Sequence, residues 1–206
     1  MSQLMDLVGS YLNDENVDRI SRSLGSDRSK TEKAISAALP TLVGAMTRNA
    51  NDPSKQERLH QALVRDHDGS LFDHLGSFLG PGDDPVEQPG LTKKTTSGGA
   101  ILDHLLGNRR GRVEQGVSSA SGLDSGQSVK LMSMLAPLLM GALGKKRRDG
   151  DLSAGGLGDL LQSERQSVES EPATKSLLGR MFDQDGDGDF DLMDIVKLGF
   201  GRMFKR

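Results

Sequence analysis

The stretch DQDGDGDFDLMD, Asp183 to Asp194, places six aspartates in twelve residues of a chain whose net charge is only −3. Counted from Asp183, Asp185 and Asp187 fall at positions 3 and 5, Gly188 at 6, Phe190 at 8, Asp191 at 9 and Asp194 at 12. This is the register of an EF-hand calcium loop, with Asp in place of Glu at the closing position. Calcium is a hard cation that gathers roughly six to eight oxygens. Asp183, Asp185 and Asp187 alternate so that three carboxylates converge, and Gly188 permits the sharp turn that brings the second half of the loop around the ion. Asp189 supplies a main-chain carbonyl, Asp191 acts through a water, Asp194 closes the site and Phe190 anchors the loop. The short side chain of Asp194 reaches less far for bidentate coordination, which narrows the margin over Mg2+, the alternative ion. Without a cation the carboxylates repel one another, so the loop is expected to fold on binding metal.

Such a loop needs a helix on each side. Leu177, Leu178, Met181 and Phe182 precede it at helical spacing, and Ile195, Val196, Leu198 and Met203 follow. The pattern is also similar to dockerin-type loops, which often close with Asp, although those come in pairs and this chain carries one. A lone hand lacks its usual partner, so a homodimer or a protein partner is expected at this segment.

The other chemical candidates are the histidines, His60, His67, His74 and His104. Asp73-His74 and Asp103-His104 repeat one dipeptide, and an aspartate beside a histidine can orient a general base. Packing or capping in short amphipathic helices accounts for both pairs equally, and no H-E-x-x-H, G-x-S-x-G or phosphate loop is present. The chain is therefore expected not to be an enzyme. The basic runs Lys145–Arg148 and Asn108–Arg112 have no interleaved aromatic residues for base stacking. The first follows a helix C-terminus, where positive charge suits the helix dipole. With near-neutral net charge, nucleic acid is not expected as a partner.

The elements that carry these residues read as helices. In SKTEKAISAALPTLVGAM the residues Ile35, Leu39, Leu42, Val43 and Met46 form one stripe. Asp52 and Pro53 read as a cap and first turn. SVKLMSMLAPLLMGALG reads as a further helix that stops at Gly144. Pro40 and Pro137, inside these patterns, are expected to kink or break their helices. No alternating strand pattern occurs. Apolar residues make up 34% of the 206 and glycines number 26, which suits helices separated by Gly-rich linkers rather than one dense globule. Cysteine is absent, which removes disulfides and thiolate chemistry. The N-terminus has no basic region ahead of an apolar run and no stretch reaches membrane-spanning length, so a cytoplasmic location is expected.

An echo at an offset of 97 residues aligns Ile20 with Val117, Gly25 with Gly122, Asp27 with Asp124, Pro40 with Pro137 and Gly44 with Gly141. The expected architecture is all-α, a multihelical array with an internal repeat. Its divisions are a first helical repeat at 1–79, a linker at 80–99, a second repeat at 100–162, a linker at 163–172 and a helix-loop-helix hand at 173–206. LPTLVGAM, DGSLFDHLG, GAILDHLLGNRRGRVEQGVSSASGLD and LAPLLMGALGKK resemble the YidB-like bacterial family, domain of unknown function family 937, over roughly residues 1–150. The resemblance implies an all-helical cytoplasmic protein of uncharacterised role and carries over no catalytic residue; the tail after about residue 165 is an addition to it. Function is then expected to be calcium binding by a non-enzymatic helical protein. The hand is either a switch or, in a structural or assembly protein, a static clip or a solvated tail.

Overall fold

The computed structural model describes residues 3–80, 93–150 and 153–170. Its elements are α1 (Gln3–Tyr11), α2 (Asp14–Leu24), α3 (Arg28–Ala50), α4 (Pro53–Arg65), a 3-10 turn (Ser70–His74) leading into α5 (Leu75–Phe78), α6 (Lys93–Thr96), α7 (Gly98–Leu106), a 3-10 turn (Gly107–Arg109), α8 (Arg110–Ser121), α9 (Ser125–Gly150) and α10 (Ala154–Ser170). The described residues hold no strand, so the fold is all-α. By proximity the chain divides into Met1–Arg165 and Gln166–Arg206, so the segments expected as two separate helical repeats both fall within the first unit.

The helix starts follow from local chemistry. Asp52 accepts from the Ser54 N–H, and Pro53 follows it in the first turn of α4. Asp27 accepts from the Lys30 N–H at 2.9 Å and so starts α3. Ninety-seven residues later, Asp124 accepts from the Gln127 N–H at 2.7 Å while the Gln127 side chain accepts the Asp124 N–H at 3.0 Å, a reciprocal capping box for α9. Gly25 and Gly122 end α2 and α8 with φ of 63° and 77°. The Gln127 amide also donates to the Leu24 and Gly25 carbonyls, so the α9 cap satisfies acceptors at the end of α2.

Two helices form the centre. The apolar stripe read on α3 is buried, but so is every residue from Ala38 to Thr47, and α9 is buried from Met134 to Gly144. A helix surrounded on all sides needs no polar face. Two threonines inside α3 bond back to it: Thr41 donates to the Ala37 carbonyl, and Thr47 Oγ1 lies 2.9 Å from the Val43 and 3.1 Å from the Leu161 carbonyl oxygen, joining α3 to α10. α3 packs on α2, α4, α7, α8 and α9, while α9 packs on α1, α2, α4, α6, α7 and α8 as well as α3.

Neither proline ends its helix. Pro40 leaves the carbonyl of Ser36 without an intrahelical donor, but Ser36 is exposed and water can serve it. Pro137 leaves the Ser133 carbonyl in the same position, and there α7 fills the gap. A Cβ added to Gly98 would stand 1.7 Å from the Ser133 oxygen, so only glycine lets the two backbones meet. Gly144 is likewise not the stop expected of it, since α9 continues to Gly150. Its lack of a side chain serves tertiary contact: a Cβ there would lie 1.5 Å from the His67 carbonyl oxygen. Helix also replaces expected linker at Lys93–Thr96 and from 163 to Ser170. In the last of these, Glu164 explains the difference. Its buried carboxylate accepts the Leu4 N–H at 2.9 Å and the Met5 N–H at 3.3 Å, serving first-turn donors of α1 from 160 residues away.

Substituting Gly144→Ala is expected to lower stability by about 1–3 kcal/mol or more in urea unfolding, because backbone must move to admit the methyl group. Gly150→Ala, where a Cβ meets nothing within 4 Å, is the neutral control. Glu164→Ala is expected to cost about 1–3 kcal/mol by stranding the α1 donors, with Glu164→Gln costing less because an acceptor remains.

Candidate ligand cleft

On α4, Lys55, Arg58, Leu59 and Ala62 recur at helical spacing and share one face, which continues to Asp66. On α7 and the residue before it, Ser97, Ala100, Ile101, His104 and Leu105 do the same. The two faces border a cleft of about 680 Å³, completed by Asn49 from α3, His67, Lys93 and, at its base, Met140 from α9. Volume and lining match the usual small-molecule site, mainly apolar with a few polar groups. Asn49 Nδ2 donates to the Leu105 carbonyl at 3.1 Å and holds the end of α7 against α3. Thr95 Oγ1 donates to the Asp66 carbonyl at 2.9 Å, tying α6 to the end of α4.

The charges on the lining are unequal. Lys55, Arg58 and Lys93 are cationic and Asp66 is anionic. Lys55 Nζ lies 3.5 Å from Asp52. Arg58 contacts only neutral acceptors, the Ser54 carbonyl and hydroxyl, so no carboxylate compensates it among the described residues.

His67 is 4% exposed, and its Nδ1 is buried without a hydrogen-bond partner. Burial pushes its pKa down to about 4, against the opposing pull of Asp66 and Asp68. The imidazole is thus neutral at pH 7. An unpaired buried nitrogen is costly, and such orphans need a reason. Neither burial nor the missing partner is encoded locally in RDHDG, so the sequence offers His67 only as one of its four histidines.

The other sequence candidates are dispersed. Asp183, Asp185, Asp187, Gly188, Asp189, Phe190, Asp191 and Asp194 lie outside the described residues. His104 lines the cleft, but Asp103 beside it accepts from Arg110 at 2.7 Å. Asp73 and His74 sit on the 3-10 turn before α5, and His74 is not among the cleft residues. Arg110, from the basic run Asn108–Arg112, also donates to Glu114 and the Gly99 carbonyl, so its guanidinium is committed within the fold. Among the described residues no group of three or more His, Cys, Asp or Glu is placed to hold a metal, and no helix is long and apolar enough to cross a membrane.

The depressed His67 pKa sets a pH dependence. The unfolded chain takes up this proton near 6.5 and the folded chain near 4, so the unfolded state binds more protons between those values. Stability is therefore full above about pH 6.5 and falls toward pH 4, by up to about 3 kcal/mol. In the difference between wild type and His67→Phe unfolding curves, that slope between pH 6.5 and 4 should stand out; identical slopes would contradict it.

Residues 6–146 match the family described as bacterial protein of unknown function (DUF937). No curated protein and no solved structure matches the chain.

Proposed function

Because this chain belongs to the bacterial DUF937 family, whose description carries no activity, we propose its function from its own residues: a non-catalytic helical protein that binds calcium through Asp183–Asp194. The observation that carries the reading is the register of the loop. Carboxylates stand at positions 1, 3, 5, 9 and 12, glycine at 6 and an apolar residue at 8. The loop lies beyond the family-matched residues 6–146. Calcium is its cofactor, with Mg2+ as the competing ion. The non-catalytic part of the reading is supported by Asp103, which pairs with Arg110 instead of orienting His104.

Calorimetric titration of the full chain with calcium is expected to give one saturable site, absent in Asp183→Ala. Asp194→Glu should bind more tightly and discriminate better against millimolar magnesium, because the longer side chain closes the site bidentately. No heat with wild type, or unchanged heat in Asp183→Ala, would sink the reading.

A further inference from the structure

We infer that the cleft between α4 and α7 binds the monocarboxylate of a medium-chain fatty acid, a function separate from metal binding. The size of the cleft, about 680 Å³, is that of a small-molecule site rather than a macromolecular interface. Its walls supply apolar contact from Leu59, Ala62, Ile101 and Met140. An alkyl chain gains from leaving water for such a surface, in proportion to the area covered.

The charge at the rim decides the headgroup. Arg58 lines the cleft with no carboxylate partner among the described residues, and its guanidinium offers a planar fork of donors. That fork matches a carboxylate in two parallel hydrogen bonds. Lys55 stands one turn earlier on the same face, shared with Asp52. One planar anion on an apolar tail fits this arrangement. A free phosphate would use the cations but leave the apolar wall of Leu59, Ala62, Ile101 and Met140 uncovered. His67 also lines the cleft, a buried side chain whose Nδ1 has no hydrogen-bond partner among the described residues.

The test uses the full chain with 13C-methyl methionine and sodium dodecanoate below its micelle concentration. One saturable site is expected, with a shift of the Met140 methyl signal, assigned by Met140→Leu, and smaller shifts for Met132, which is fully buried. Arg58→Gln, a rim change that leaves the apolar wall intact, should weaken dodecanoate by roughly tenfold and leave dodecanol binding unchanged. Ala62→Phe should abolish both by filling the cleft, with an unaltered helical circular dichroism spectrum. Phosphatidylcholine vesicles carrying the same acid separate free acid from a lipid surface: the inference expects the Met140 shift to follow the free acid concentration. No saturable binding, equal affinity in Arg58→Gln, or vesicle binding without a Met140 shift would each overturn it.

Discussion

The backbone of α9 is approached by other backbone at two places where a methyl group would not fit. At one, the carbonyl of Ser133, which Pro137 cannot serve, lies against Gly98 of α7; at the other, Gly144 lies against the carbonyl of His67. Each contact needs glycine on one side and a carbonyl on the other. Together they determine where α7 and the segment after α4 can run.

The cleft follows from that arrangement. Gly98 begins the helix that carries Ile101 and His104, and the Gly144 contact holds the chain at His67, so both sides of the cleft hang from α9. Where α4 and α7 stand apart above Met140, the facing residues are Leu59, Ala62 and Ile101, with cations from α4 at the edge. His67, whose carbonyl lies against Gly144, is 4% exposed, and that burial depresses its pKa.

Much of the helical framework was legible in the chain because its causes are local. Asp52 before Pro53, Asp27 three residues before Lys30 and the glycines at 25 and 122 all act within one turn, and each does what its residue type suggests. What was not legible depends on distant partners. Gly144 read as a stop because glycine ends helices, yet the reason for it lies in His67, far along the chain. Residues 163–170 read as linker because they are polar, but Glu164 is inward-facing, bound to the first turn of α1. Of the cleft, the helical stripes on α4 and α7 were there to be seen, but not that they face each other. The aspartate loop is the reverse case: its register is wholly local, and it lies outside the described residues.

Native-state hydrogen exchange tests most directly the claim that α9 is pinned through its glycine contacts. Amides from Leu138 to Leu143 should be the slowest in the protein, opening only with global unfolding. Gly98→Ala should accelerate them together with the amides of α7. If α9 instead exchanges faster than α4 or α10, or if Gly98→Ala leaves its amides as slow as before, the backbone contacts of α9 are not what the structure depends on.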